Sequence, residues 1–218
     1  MFIFYSLLFL SVVLIYIHVN NYYKTNNAID YLELFEPSKE TFEITLREKI
    51  PFSVEFNNFK KALIDEYLAP KFYFKKVVGI INLNSKTGEN KPEKKNDEKS
   101  IIYESGLMSE THECNFFYID KNYIVKLYPP NTNVNLSIEE LNKREHLSIP
   151  LKRDTILVVP PYWYYSFSAA SNSEDSNESV ELERYSYITY PNMIANYFSK
   201  AHESASHVMP FLCNLKIN

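Results

Sequence analysis

An uninterrupted apolar stretch, Phe2–Val19 (FIFYSLLFLSVVLIYIHV), opens the chain and constrains its fold more than any other feature. It contains no acidic or basic side chain. A helix of this length reaches ~27 Å, close to the ~30 Å of bilayer hydrocarbon. No Lys or Arg precedes the stretch and no small-residue cleavage site follows it, which favours retention over removal as a signal peptide. The pattern predicts a transmembrane anchor over residues 2–19, the membrane as a partner and a single-pass membrane localisation.

The chain after this segment divides into a stalk and one domain. Residues 20–40 mix Asn, Tyr and acidic side chains, with a helical pattern around Asp30–Phe35, which is typical of a stalk. The whole chain is 45% hydrophobic and 16% aromatic, enough for the core of one domain over residues 41–218. Lys24 and Lys39 follow the anchor, which favours a domain on the cytoplasmic side.

Charge and cysteine content exclude two classes of function. The formal net charge is -4, so the domain lacks the basic field that nucleic-acid binding needs. Cys114 and Cys213 are the only cysteines and lie far apart in sequence. Their spacing matches neither a disulfide framework nor a zinc knuckle.

Short strand patterns dominate the domain. Alternating or β-branched runs predict strands at Thr41–Leu46, Pro51–Phe56, Phe72–Asn82, Phe116–Ile119, Tyr123–Tyr128, Thr155–Val159, Tyr162–Ser168 and Ser179–Tyr190. Asp120-Lys121-Asn122 predicts a hairpin turn. The polar runs 84–100 and 171–183 predict exposed loops. Because no strand–helix–strand rhythm is visible, the predicted class is an all-β sandwich or barrel with a few peripheral helices.

Three sequence blocks resemble the cupin-like, Jumonji-type proteins. Asn115–Ile119 (NFFYI), followed by Leu127–Pro130 (LYPP), looks like that family's first block. Asp154–Tyr165 (DTILVVPPYWYY) is similar to its second block, and Arg47–Val54 is similar to its opening strand. The blocks follow the family's order and cover Thr41–Tyr190. Within the family, the chain most resembles uncharacterised membrane-anchored members of large DNA viruses. The resemblance implies an all-β fold of the double-stranded β-helix, or jelly-roll, type.

The resemblance also implies where a metal site would lie. Active members hold Fe(II) through a His-x-Asp/Glu pair before the first block and a distal His in the second, beside 2-oxoglutarate. Those three positions carry Ser109, Thr111 and Tyr165 here, and the residue that clamps the co-substrate would fall near Tyr123 or Ile124. The phenol of Tyr165 titrates near ~10 and is a poor ligand for a divalent ion at neutral pH. We therefore expect that iron and 2-oxoglutarate binding are lost and that no cofactor is bound.

A rearranged metal site is the alternative. Glu110, His112 and Cys114 alternate, so an extended segment would place three competent ligands on one face. This arrangement predicts a divergent Fe(II)-dependent oxygenase or hydroxylase that uses 2-oxoglutarate. Cys114 is equally consistent with a small buried core residue.

Aromatic side chains occupy the strand of the second block. Trp163, Tyr165 and Phe167 share one face of this strand. We expect them to fill the space in which an active relative keeps its metal cavity. The alternative is a residual pocket for a flat or sugar-like ligand, lined by Asn115, Trp163, Tyr165 and Phe167.

The sequence therefore predicts a membrane-anchored, non-catalytic binding or structural module, a degenerate relative of the iron enzymes. Two alternatives stay open. One is the divergent oxygenase at Glu110, His112 and Cys114. The other is a scaffold that recruits a basic protein partner through the acidic loop Ser171–Glu183.

Overall fold

Two β-sheets and their covering helices make up the unit formed by residues 25–188. The computed structural model describes residues 2–23, 26–57, 62–71, 73–83, 101–102, 107–134, 136–169, 180–190 and 193. Within these residues the strands are β1 (Leu32–Phe35), β2 (Phe52–Glu55), β3 (Tyr73–Leu83), β4 (Ile101–Ile102), β5 (Met108–Ser109), β6 (Cys114–Ile119), β7 (Tyr123–Tyr128), β8 (Leu147–Leu151), β9 (Thr155–Val159), β10 (Tyr164–Ala169) and β11 (Val180–Thr189). The helices are α1 (Phe2–Tyr23), α2 (Lys39–Glu48) and α3 (Ile138–Asn142), with a π-helical segment at Ile64–Leu68.

The strands are shared between sheet A and sheet B. Sheet A contains β1, β2, β9, β6, β11 and β3 in that spatial order, and sheet B contains β4, β5, β10, β7 and β8. Strands β1 and β2 pair in parallel, whereas the other pairs with a described register are antiparallel. The chain changes sheet between β3 and β4, between β5 and β6, between β6 and β7, and at each step from β8 to β11. Residues from distant parts of the sequence therefore meet between the sheets.

The interior core, between the sheets, is built from inward-facing side chains of both. Strand β9 is buried along its whole length, because apolar side chains pack against both faces of sheet A at this strand. Leu157 and Val159 face the interior core, while Ile156 and Val158 face an outer cluster on the other side of sheet A. The outer cluster consists of Phe42, Phe52, Val54, Ile64, Leu68, Ala69, Cys114, Phe116, Ile156, Val158, Tyr185 and Tyr187. Burial on both faces explains why β9 is a continuous apolar run.

Strand β1, helix α2 and strand β2 form a strand–helix–strand unit at one edge of sheet A. The Ser38 side chain begins α2 by accepting a hydrogen bond from the Thr41 amide, at 3.1 Å. Phe42 lies on the buried face of the helix, with its ring centroid 5.5 Å from that of Phe52 on β2. The helical crossover allows β1 and β2 to run in parallel.

The fold class is mixed rather than all-β. About 27% of the described residues are helical and 40% lie in strands of two sheets, which contradicts the predicted all-β double-stranded β-helix, or cupin-like jelly roll. The error begins where the sequence predicts a helix around Asp30–Phe35 and a strand over Thr41–Leu46. The structure has the reverse, β1 followed by α2, because Ser38 caps a helix whose buried residues Phe42 and Thr45 lie one turn apart.

The predicted hairpin at Asp120-Lys121-Asn122 is also wrong. Strand β6 belongs to sheet A and strand β7 to sheet B. These three residues therefore connect two sheets rather than two paired strands. The alternation of side chains located each strand in the sequence. It did not identify the strand with which each one pairs.

Helix α1 belongs to a second unit, residues 1–24 and 189–218. Across the described ranges of the chain, no helix combines the length and the apolarity that a membrane crossing requires. This finding contradicts the single-pass membrane localisation predicted from residues 2–19.

Other predicted segments lie partly or wholly outside the described residues. The loop 84–100 and residues 194–218, which include Cys213, are outside them. Of the acidic loop Ser171–Glu183, the structure describes only residues 180–183, and these belong to strand β11. Residues 20–40, predicted as a stalk, include strand β1 of sheet A.

Replacing Phe42 by Ala should lower the free energy of unfolding by about 3–5 kcal/mol, because Phe42 is only 1% exposed between α2 and sheet A. Phe35 on β1 is the matched control, since 63% of it is exposed and its replacement by Ala should cost less than about 1 kcal/mol. Urea unfolding followed by the emission of Trp163, the only tryptophan, measures both. Equal losses for the two variants would contradict the packing of α2 on sheet A.

Candidate functional site

A group of polar side chains is buried between the two sheets. We call it the interior polar cluster; it consists of Glu110, His112, Asn115, Tyr165, Arg184 and Ser186. Glu110 is 1% exposed and Arg184 is 4% exposed. Burying a charge costs free energy unless an opposite charge and hydrogen bonds compensate it. Among the described residues, the burial of these charged side chains therefore most needs a structural or functional explanation.

The cluster begins where the chain passes from sheet B to sheet A. Met108 on β5 faces the interior core and pairs with Tyr165 on β10, and Glu110 follows on the same side. The chain then bends at residues 112–113 before β6 begins. The bend resets the alternation, so Asn115 faces the interior, where its side-chain amide donates to the carbonyl oxygens of His112 (3.0 Å) and Val159 (3.2 Å).

The Glu110 carboxylate is the centre of the cluster. The Tyr165 hydroxyl donates to its Oε1 atom at 2.7 Å, and Nη1 of Arg184 forms an ion pair with the same oxygen. Nδ1 of His112 lies 3.9 Å from the other oxygen, Oε2. The carbonyl oxygen of Glu110 accepts a hydrogen bond from the Tyr162 amide at 2.9 Å. Side chains from both sheets thus meet on one carboxylate, which forms an ion pair with the guanidinium of Arg184.

Strand β11 carries Arg184, the positively charged partner of Glu110. Leu182, Arg184 and Ser186 face inward, whereas Tyr185 and Tyr187 belong to the outer cluster. Ser186 donates to the side-chain oxygen of Asn115 at 2.9 Å, which joins the amide to the same strand. Strand alternation therefore carries Arg184 into the interior between an apolar and a hydroxyl side chain.

Gly79 on β3, the neighbour of β11 in sheet A, makes room for Arg184. A Cβ atom at this position would lie 3.0 Å from Nη2 and 3.3 Å from Nε of Arg184, closer than side chains normally approach. A glycine inside a strand is otherwise unfavourable, and it often marks a close approach of another group. Here that group is the guanidinium.

The aromatic residues of the predicted pocket form one wall of the interior. Trp163 and Tyr165 are fully buried and Phe167 is nearly so. The ring of Tyr165 lies 5.0 Å from that of Phe117 and 5.8 Å from that of Phe167. The indole nitrogen of Trp163 donates to the carbonyl oxygen of Lys49 at 3.3 Å. Asn115, the fourth residue of the predicted pocket, is also fully buried.

The three positions that the resemblance assigns to metal ligands are separated. Tyr165 belongs to the cluster as a hydrogen-bond donor to Glu110. Ser109 pairs with Tyr164, whose ring packs on the outer side of sheet B, so Ser109 faces away from the interior. Thr111 is half-buried between Glu110 and His112.

The rearranged trio of Glu110, His112 and Cys114 is only partly brought together. Glu110 and His112 are neighbours, but Cys114 lies beyond the bend and belongs to the outer cluster. Burial, followed by the charge of Glu113, raises the pKa of the Cys114 thiol well above its ordinary value, which keeps it protonated at neutral pH. Among the residues whose positions are described, no three His, Cys, Asp or Glu side chains converge in a way that could hold a metal ion.

Sequence reasoning missed Arg184, Ser186 and Gly79. The run around Arg184 alternates between tyrosines on one side and polar residues on the other, so the tyrosines would be expected to face the core. The available signal was Gly79, one of three glycines in the chain, inside the β-branched run of β3. This glycine indicated that another group approaches strand β3 closely. It did not identify that group as Arg184.

Comparison with protein families and with curated proteins identifies no relative of this chain. The chain matches no protein-family model, and no curated protein matches it. The resemblance to cupin-like and viral proteins therefore stays a prediction from the sequence blocks.

Removing either charge of the Glu110–Arg184 pair should destabilise the fold strongly. Glu110→Leu and Arg184→Met should each cost about 3–5 kcal/mol, because each removes the counter-charge of a buried ion. The double variant should lose much less than the sum, since it buries no charge. Urea unfolding of the four proteins measures the coupling. The half-exposed pair Lys71–Glu43, 3.0 Å apart, is the control and should show a coupling below about 1 kcal/mol. Additive losses at Glu110 and Arg184 would contradict the ion pair.

Cys114 should be unreactive in the folded protein. In a Cys213→Ser background, a water-soluble disulfide reagent should not modify Cys114 at about pH 8.5, where half of ordinary thiols are ionised, because Cys114 is fully buried and its pKa is raised. Unfolding in guanidinium should make the thiol react completely. Rapid modification of the folded protein would show that Cys114 does not lie in the outer cluster.

Proposed function

We propose that the unit formed by residues 25–188 is a non-catalytic binding or structural module. The observation that supports this proposal is the ion pair between Arg184 and Glu110. Glu110 is a competent metal ligand and acid–base group, and one of its oxygens already receives both a guanidinium and a phenol. Its charge is used to join the two sheets.

The residues present do not fit an iron and 2-oxoglutarate site of the kind that the resembled family uses. Ser109 faces away from the interior, and the Tyr165 hydroxyl donates a hydrogen bond to Glu110. Tyr123, near the position of the co-substrate clamp, donates to Asp120 at 3.1 Å. The positive charge of Arg184 would repel a divalent cation at Glu110. We therefore propose that the module carries out no iron chemistry.

Neither alternative has an observation in its favour. The divergent oxygenase requires Cys114 beside Glu110 and His112, but Cys114 lies in the outer cluster. The acidic-loop scaffold depends on residues 171–179, which lie outside the described ranges.

A groove on α2 supports binding through the outer surface. It has a volume of about 480 Å³ and is lined by Lys39, Glu40, Glu43, Ile44, Arg47 and Lys71. Ile44 is 54% exposed and stands among side chains of both signs. Arg47 is the lining residue whose type is enriched at protein interfaces.

The absence of metal chemistry is tested by loading the full-length chain with Fe(II) or Mn(II), with and without 2-oxoglutarate. We expect no stoichiometric metal after dialysis and no rise in the midpoint of thermal unfolding, because Arg184 already neutralises Glu110. Elemental analysis and a thermal shift assay measure the two quantities.

A matched pair of variants controls for adventitious binding. His112 belongs to the cluster, whereas the ring of His146 stacks on Tyr128 outside it. Stoichiometric metal that is lost in His112→Ala but kept in His146→Ala would overturn the proposed function. Trace metal that is unchanged in His112→Ala would leave it standing.

A further inference from the structure

We propose that strand β3 is an interface through which two copies of this chain pair, edge to edge, into a symmetric dimer. The two β3 strands lie antiparallel to each other, so that the two copies of sheet A form one continuous sheet. A two-fold axis perpendicular to the sheet relates two such strands. This inference goes beyond the proposed function, because it concerns one edge of sheet A and not the interior polar cluster.

Strand β3 is a long edge strand. It ends sheet A within the described residues and runs for 11 residues, Tyr73–Leu83, about twice the usual strand length. Its section Val77–Ile81 carries no charge. The opposite edge strand, β1, has four residues, and one of them is Glu33. Short strands and charged side chains protect an edge against pairing, so β3 is the edge of sheet A that favours it.

The outer side of β3 presents exposed aliphatic side chains. Nζ of Lys76 lies 4.8 Å from the centroid of the Tyr185 ring, which belongs to the outer cluster. Strand alternation places Val78 and Ile80 on the same side of the sheet as Lys76. These two side chains are 52% and 55% exposed. Their burial against a partner strand would remove apolar surface from water.

The residue pattern of β3 selects one register for two copies. Opposite residues of an antiparallel pair project to the same face, so the outer sides of the two copies are continuous only if the axis passes through a residue. With the axis at Gly79, Val78 of each copy lies opposite Ile80 of the other. An axis at Val78 or at Ile80 would place an aliphatic residue opposite a polar one, Lys76 or Asn82. The register that pairs aliphatic with aliphatic residues is therefore centred on Gly79.

The charges of β3 favour the antiparallel arrangement. Lys75 and Lys76 both lie near the beginning of the strand. In the register centred on Gly79, each lysine is eight or six residues along the strands from the same lysine of the second copy, about 20–27 Å. Such a separation exceeds the distance over which salt screens charges in solution. A parallel pair in register would place like charges directly opposite each other, which is destabilising.

Analytical ultracentrifugation of the full-length chain over a range of concentrations tests the dimer. We expect the mass of the wild type to approach that of two chains as the concentration rises. Ile80→Lys should raise the dissociation constant of the dimer at least about tenfold, because a charge on an edge strand opposes pairing. Phe35→Lys is the matched control, since Phe35 is 63% exposed on the opposite edge of the sheet, and it should leave the constant unchanged. The emission of Trp163 shows whether each variant is folded.

Disulfide cross-linking tests the register with smaller substitutions. Val78→Cys and Ile80→Cys, each in a Cys213→Ser background, are oxidised separately and as an equal mixture. In the proposed register, positions 78 and 80 of different copies are directly opposite, within the roughly 4.4–6.8 Å between Cα atoms that a disulfide needs. Two copies of the same position are diagonal neighbours, about 7–8 Å apart. The mixture should therefore form much more covalent dimer than either variant alone.

Several results would overturn the inference. One is a wild type that remains monomeric at every concentration, which would mean that another segment of the same chain or a different protein covers the edge. Another is an Ile80→Lys variant that dimerises as the wild type does. A loss of the dimer in Phe35→Lys alone would place the interface at β1 instead. Equal cross-linking in the mixture and in the separate variants would contradict the register. None of these results bears on the proposed function, which is tested at the interior polar cluster.

Discussion

The fold depends most on one buried ion pair, between Glu110 and Arg184. Glu110 follows β5 of sheet B and Arg184 lies on β11 of sheet A, so the pair joins the two sheets through the interior core. A buried ion pair contributes little net stability compared with apolar groups of the same size, but the loss of either charge is costly. Its main effect here is on register. A shift of β11 by one residue would turn Arg184 out of the core and a tyrosine into it.

The surroundings of the pair are arranged to accommodate it. Gly79 has no Cβ atom that could crowd the guanidinium, and Tyr165 supplies a hydrogen bond to the carboxylate oxygen that the guanidinium contacts. Asn115 and Ser186 extend the polar contacts from the bend before β6 to strand β11. Around them, the packed rings of Trp163, Tyr165 and Phe167 exclude water, which strengthens the attraction between the charges. The result is a charged and hydrogen-bonded centre inside an otherwise apolar core.

The sequence predicted local features well and their partners poorly. Strand β9 and the inward face of β10 followed from apolar runs and alternation, because burial leaves a period in the sequence. The exchange of helix and strand between β1 and α2 was missed, because Phe42, Ile44 and Leu46 have the spacing of a strand. Phe42 and Leu46 also lie one helical turn apart, and the Ser38 cap decided the outcome. Cys114 was placed with Glu110 and His112 because alternation was extended through a bend. Arg184 could not be predicted as buried, since its counter-charge lies 74 residues away in the chain.

That separation has a consequence for the order in which the unit folds. The β1–α2–β2 segment is local, whereas the contacts of the polar cluster join residues 55 and 74 apart. Closing such loops costs conformational entropy before any contact compensates it. We expect the strand–helix–strand segment to be structured early and the cluster to close late, as β11 docks between β6 and β3. A chain that stops folding before this step has its edge segment in place but leaves Glu110 and Arg184 in water.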